Sequence, residues 1–290
     1  MASLKETKSR IQSVRSTQKI TSAMKMVSSS KLRKAQKQIE SFYPYEQKLT
    51  QILTNFLSAE EESSSVYADV KEVKRVAIVA FSSNSSLAGS FNYIGIKRLT
   101  AAVNEYNYLG KENILIFPIG KKIAQAVKKM GFSVPEHFEE MAEKPTYQAV
   151  QKLANRLMAM FVEHQVDKVD LIYHRFKSKS SQLLIQETYL PVSLHLAEEE
   201  QSIIHANYLV EPDRADIMSE LIPKVLRLKL YTALLDSVAS EHAARTIAMQ
   251  IATDNADDLL QELNLQYNKS RQQAITNELL DIIGGSFGQS

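Results

Sequence analysis

Between Thr7 and Ile39 the chain carries nine basic side chains and no acidic one: Lys8, Arg10, Arg15, Lys19, Lys25, Lys31, Arg33, Lys34 and Lys37. A charge run is usually a solvated face. On a single helix, however, so many like charges repel one another, and something negative opposite them would relieve that cost. The chemistry on offer is anion binding, to nucleic acid, an anionic membrane or an acidic protein surface. Nucleic-acid binders bring aromatic stacking residues or a helix-turn-helix, and neither accompanies this run. An acidic protein partner is the first expectation. An Arg- and Ser-rich, acid-poor start also imitates a mitochondrial transit peptide, but the helical pattern continues through it without a cleavage-like break.

Residues that could do bond chemistry are harder to find. The stretch Ser82–Asn92 (SSNSSLAGSFN) follows an apolar run and precedes a helical one, where a nucleotide-binding fold holds its phosphate loop. It has neither G-x-G-x-x-G nor Gly-Lys-Ser/Thr, so Gly89 reads as a structural turn. The six histidines (His137, His164, His174, His195, His205, His242) show no metal-ligand spacing. With no cysteine there is no disulfide framework and no thiolate site. Glu198–Glu200 reads as a solvated acidic loop, and no Ser, Asp or Glu has the context of a nucleophile. No catalytic residue, cofactor or metal is expected.

The elements that must carry the basic run are long helices. Only 8 Gly and 7 Pro occur in 290 residues, which favours uninterrupted helix. Residues 1–58 read as one helix of about 85 Å. From Leu32 the apolar residues step by three and four, through Ala35, Ile39, Phe42, Leu49, Leu53 and Phe56, with Glu46 alone interrupting, the seam of a coiled coil. Nearer the start the apolar side thins and shifts phase, through Ile11, Val14, Ile20, Met24 and Val27. Pro44 predicts a kink. Ala59–Ser65, acidic and serine-rich, reads as a linker.

A second long helix covers Asp213–Ile283, about 105 Å. Its seam runs Leu221, Val225, Leu228, Thr232, Leu235, Ala239, His242, Thr246 and Met249, skips a residue, and resumes at Ala252, Ala256, Leu259 and Leu263. The skip predicts local overwinding. Pro223 marks a break or kink near the start, and Gly284–Gly285 end the helix. The two helices are expected to pair as an antiparallel coiled coil, small residues letting the backbones approach closely. The other reading, a helical bundle, lacks its third and fourth helices. No apolar run approaches the ~20 residues of a membrane helix, so any membrane link is expected to come through partners.

The middle changes period. Arg75–Phe81, Asn113–Ile119, Val169–Phe176 and Leu183–Val192 read as strands. Asn92–Asn107, Lys121–Lys129 (closed by Gly131) and a helix opened by Pro145 and running to about His164 alternate with them. That order predicts a small α/β, Rossmann-like domain on a mostly parallel sheet. The expected division is 1–58, 66–210 and 213–290: coiled-coil helix, α/β domain, coiled-coil helix.

Two stretches carry a specific likeness. Thr17–Ala35 (TQKITSAMKMVSSSKLRKA) resembles the N-terminal helix of F-type ATP synthase gamma subunits. Ala239–Gly285 (ASEHAARTIAMQIATDNADDLLQELNLQYNKSRQQAITNELLDIIGG) resembles that family's C-terminal signature. The likeness extends over the whole layout. It departs at Ser82–Gly89, where the family usually has Ser-Asp-(basic)-Gly-Leu-Cys-Gly and Ala88 stands in the cysteine's place. The resemblance implies a non-catalytic rotor shaft turning inside a ring of alpha and beta subunits, with its α/β foot on the c-ring and the epsilon subunit as a further partner. By resemblance Met24, Lys25, Arg245, Arg271, Gln272 and Thr276 face beta, and Tyr208 faces the c-ring. Nucleic acid is not an expected partner, and the expected location is peripheral, at the cytoplasmic face of a bacterial inner membrane. The opening Met1-Ala-Ser-Leu-Lys-Glu and the lack of a cysteine-bearing insertion favour the bacterial type. The reading without the resemblance is a non-rotary coiled-coil adaptor or a nucleic-acid-associated rod.

Overall fold

The computed structural model describes residues 4–58, 66–134, 136, 138–192 and 214–287, the side chains of 54–58, 214–216 and 284–287 excepted. Two helices dominate, α1 (Leu4–Ser58) and α6 (Arg214–Phe287). Pro44 and Pro223 both lie inside them. Residues up to Ser28 together with those from Arg245 on form one compact unit, and Ser29–Ala244 forms the other.

In the unit Ser29–Ala244 the α/β elements follow in the order β1 (Val76–Phe81), α2 (Phe91–Glu105), β2 (Ile114–Ile119), α3 (Lys121–Lys129), α4 (Glu139–Glu143), α5 (Tyr147–Val162), β3 (Lys168–Ser178) and β4 (Ser181–Leu190). The sheet order is β2-β1-β3-β4. β1 is parallel to both neighbours, and β3–β4 is an antiparallel hairpin. β1 is buried along its whole length, as a strand covered on both faces must be. Ile78, Leu99, Ile116, Ile123 and Val127 fill the face under α2 and α3. The other face packs Val79, Phe117 and Leu171 against α5 and the facing stretches of α1 and α6, with Leu32, Leu157, Leu234 and Leu235 buried there. From Leu230 to Ala243 nearly every residue of α6 is buried, including the polar Asp236, Ser237 and Ser240.

The unit of α1 to Ser28 and α6 from Arg245 is an antiparallel pair. Gln18 Nε2 donates to Asp257 Oδ1 at 2.9 Å, the Thr21 and Thr253 hydroxyls meet at 2.8 Å, and Lys25 Nζ donates to Gln250 Oε1 at 2.9 Å. Thr21 also reaches Gln18 O and Thr253 reaches Met249 O. Two hydroxyl protons thus serve three contacts, so at any moment one hydroxyl bonds across and the other back to its own helix.

The structure corrects the sequence reading at five places. The α1 seam does not shift phase: Ile20 and Val27 are exposed, and Thr7, Thr21 and Ser28 are buried on an unbroken alternation of four and three. Nor does α6 skip a residue, because Thr253 is buried between Met249 and Ala256. Threonine passed as polar, yet its methyl packs and its hydroxyl finds a partner across the seam. Gly284 and Gly285 do not end α6, which runs to Phe287; glycine permits a left-handed cap without requiring one. Pro145 stands outside α5, whose cap is Thr146, with its hydroxyl accepting from Ala149 N. The short α4 has too little period to be seen in sequence. The segment Ala59–Ser65, Glu198–Glu200, His137, His195, His205 and Tyr208 lie outside the described residues.

Candidate partner-binding surface

The basic residues of α1 lie as a helix seam must leave them, on the outside. All nine are exposed except Lys25, which is half-buried. Among the described residues none of the nine makes an ion pair. Between them stand exposed apolar side chains, Ile20, Val27 and Met26, the last 66% exposed. Gln18, Lys19, Ser22, Ala23, Met26 and Val27 line one shallow groove on this face. Cations interleaved with accessible aliphatic groups suit a protein surface better than a phosphate backbone. The period alone could not reveal this, since it had assigned Ile20 and Val27 to the seam.

Met24 is half-buried beside this face, and the Lys25 ammonium uses one of its three donors on Gln250. Arg271, Gln272 and Thr276 are exposed on the last turns of α6, where Thr276 Oγ1 donates to Gln272 O at 2.9 Å. The two groups are not brought together. Gln250, opposite Lys25, precedes Arg271 by 271 − 250 = 21 residues, about 30 Å along a helix. Arg245 is only 6% exposed.

The N-terminus of α3, one place where a phosphate could sit, is filled by the chain itself. In parallel α/β sheets ligands bind beyond the carboxyl ends of the strands, where helix N-termini present free N–H groups to phosphate. Here the loop after β1 fills that position at α3. Asn84 Oδ1 accepts Lys121 N at 3.0 Å, Ser83 O accepts Lys122 N at 3.1 Å, and Ser82 Oγ accepts Ile123 N at 2.9 Å. Asn84 is held in turn by donating to Glu139 O at 2.8 Å. Ser83 is pinned to Asn92, at the start of α2. Gly120, with φ +104°, lets the loop this close: a Cβ there would lie 2.2 Å from Ser82 O. The first N–H groups of α3 are therefore spent on the chain itself. Among the described residues no group of three or more His, Asp or Glu is placed to hold a metal. His174, buried against the Phe91 ring, has its pKa lowered to about 4 by desolvation and stays neutral. No helix among the described residues is long and apolar enough to cross a membrane.

Such a chain, two long paired helices with an α/β segment between them in sequence, matches over residues 3–287 the family model described as ATP synthase. Its relatives narrow the class. It is 57% identical over 296 residues to the ATP synthase gamma chain of Bacteroides thetaiotaomicron and 58% over 288 residues to that of Phocaeicola vulgatus, covering 99% of each chain in both cases. To the gamma chain of Flavobacterium johnsoniae it is 42% identical, covering 99% of this chain and 98% of that one. The chain belongs to the ATP synthase gamma-chain family, with bacterial relatives. The fold is that of a chain in the Euglena gracilis mitochondrial ATP synthase OSCP/F1/c-ring structure (TM-score 0.67, 16% identity, 99% of this chain and 94% of that one). It is likewise that of a chain in the Tetrahymena thermophila central stalk/c-ring structure (TM-score 0.58, 21% identity, 80% and 99%).

Proposed function

We propose that this chain is the central stalk of an F-type ATP synthase and has no catalytic site of its own. It turns within the ring of alpha and beta subunits and couples proton flow through the c-ring to ATP synthesis or hydrolysis, with epsilon as a further partner. The observation that carries this beyond family membership is the exposed side of α1 up to Ser28, where Lys8, Arg10, Arg15, Lys19, Ile20, Met26 and Val27 stand and none of the cations has an ion-pair partner among the described residues. A shaft needs such a face, because the charges that balance it belong to the ring. The filled N-terminus of α3 supports the absence of a phosphate site at that helix. Met24, Lys25, Arg271, Gln272 and Thr276 are the beta-facing residues of this reading, with Arg245 the least accessible of the set and Tyr208 assigned to the c-ring. The functional parts are 1–58, 66–210 and 213–290, and attachment to the cytoplasmic face of the bacterial inner membrane is peripheral, through partners. Nucleic acid has no part in it.

The test is coupling in membranes. Replacing Lys25, Lys31 and Arg33 together by glutamate keeps helix propensity while setting anions toward an acidic partner. The variant should assemble, and ATP-driven proton pumping should fall several-fold. Pumping equal to wild type at equal subunit content would remove the acidic partner from this reading.

A further inference from the structure

The sheet has an overhang. β3 pairs with β1 over Lys168–Ile172 only, with Ala80 opposite Ile172, and then continues to Ser178 with β4 on its other side. Backbone N–H and C=O groups on the edge β1 leaves would be buried without a strand to pair them, a costly state. Two side chains of α6 meet that edge. Ser240 Oγ donates to His174 O at 3.1 Å, and the backbone N–H of Phe176 favours the charged form of the Asp236 carboxyl. His174 and Phe176 are two apart on the strand and so present their backbone groups to the same edge, about 6.8 Å apart. Asp236 and Ser240 are four apart on the helix, about 6 Å apart along its axis. The two repeats match, so a helix laid along the strand completes its edge with side chains. Ser240 is fully buried and Asp236 is 8% exposed.

The same helix stretch is tied to the sheet at two further points. Tyr189 Oη donates to Leu226 O at 2.9 Å, and Lys229 pairs with Glu187 at 3.2 Å. What is particular to Asp236 and Ser240 is that they bond main chain. They hold the strand itself and not one of its side chains.

We propose that Asp236 and Ser240 are the positioning residues of a torque-bearing joint, fastening α6 to the free edge of β3 so that rotation of the α/β elements is passed to the shaft helix. The joint rests on the rotor reading above for its function, though not for its geometry. Asp236 works in it as an acceptor, whatever its charge. Burial pushes its carboxyl up, against the pull of the Phe176 N–H and of Arg175 and with a push from Glu46, and a neutral carboxyl or a carboxamide can accept the same N–H.

Two measurements separate the joint from the rotor reading. In the purified full-length chain, hydrogen exchange at the Phe176 amide should be about ten-fold or more faster in Asp236→Leu, the loss of one buried bond. It should be unchanged in Asp236→Asn, which keeps an acceptor. Wild-type protection at Phe176 in the leucine variant overturns the joint. In membrane vesicles carrying the assembled enzyme, Asp236→Leu with Ser240→Ala should pump protons several-fold less per ATP hydrolysed, with hydrolysis itself close to wild type. Asp236→Asn should leave that ratio intact. A purely structural role would lower hydrolysis, pumping and subunit content together, and that outcome, like a wild-type ratio in the double variant, overturns the proposal. Should the leucine chain fail to fold, Ser240→Ala alone removes one of the two bonds and should still lower the ratio; an unchanged ratio there overturns the joint. If the wild-type chain itself does not support pumping, the rotor reading falls, and exchange at Phe176 still decides the joint.

Discussion

One alternation of four and three runs through both compact units, but the residues that occupy it change character. In Ser29–Ala244 the α1 seam reads Leu32, Ala35, Ile39, Phe42, Glu46, Leu49 and Leu53, and the α6 seam Leu221, Val225, Leu228, Thr232, Leu235, Ala239 and His242. In the other unit α1 offers Thr7, Ile11, Val14, Gln18, Thr21, Lys25 and Ser28, and α6 offers Thr246, Met249, Thr253, Ala256, Leu260 and Leu263. A buried Leu or Phe contributes about 1.5–3 kcal/mol, a net hydrogen bond about 0.5–1.5. The first seam is held mainly by large apolar residues, the second by fewer of them together with three cross-helix hydrogen bonds. Period tells where two helices meet, and composition tells what holds them. The weaker seam also leaves its unit's outward face to Ile20, Met26, Val27 and the cations.

The contrast breaks first at Leu235, fully buried in the apolar seam. Leu235→Ala should cost about 3 kcal/mol in chemical denaturation followed by circular dichroism. A loss below about 1 kcal/mol would mean that apolar burial does not dominate there.

Asp236 sharpens the contrast in the opposite direction. Its pKa is raised from 3.8 to about 6 by burial. A raised carboxyl adds stability below its unfolded pKa and loses that advantage as pH climbs through its folded one. Asp236→Asn should therefore match wild type near pH 4 and be more stable by on the order of 2–3 kcal/mol at pH 8. Parallel melting curves across that range would show that the buried carboxyl is not the source.

Arg271 tests the exposed end of the polar unit. Among polar neighbours its removal should change stability by no more than about 0.5 kcal/mol. A forked bond to a carboxylate is worth roughly 1.5–3 kcal/mol, and one made in only part of a rotary cycle acts on rate. Arg271→Ala should slow steady-state ATP hydrolysis of the assembled complex about ten-fold, and Arg271→Lys less, having charge without the fork. Wild-type turnover in the alanine variant would take Arg271 off the working surface.

The smallest effect is expected at the threonine pair. Thr21→Val with Thr253→Val replaces both partners by groups of the same shape and should shift stability by no more than about 0.5 kcal/mol. A loss near that of Leu235→Ala would mean that the polar seam carries as much as the apolar one.

Much of this was legible in the residues. The stripe from Leu32 to Leu53 marks α1, the change of period marks the sheet, and α3 begins and ends where its pattern and Gly131 place it. Sequence reasoning lost the seam where its residues were Thr, Gln and Ser, because polarity was taken for exposure. It lost the filled N-terminus of α3 for a related reason: Ser82 and Asn84 are 41 and 37 residues from the amides they cap, and no local pattern records that. Of the candidate surface, the cations were plain. That Ile20 and Val27 stand among them depends on helix phase, which one misassigned seam had shifted.

The burial of Leu230–Ala243 on nearly every side has a consequence for how the chain is made. The sheet and the core under α2 and α3 are written in the residues up to β4, but the core on the other face is completed by α6. From Ser178 to Ala243 the ribosome must add 243 − 178 = 65 residues, about 3–13 s of synthesis. Throughout that interval the overhanging end of β3 has backbone groups at His174 and Phe176 without their helix, beside an apolar face without its lid. Nascent chains stalled just short of Asp236 should therefore be those most readily captured by chaperones that recognise open strand edges.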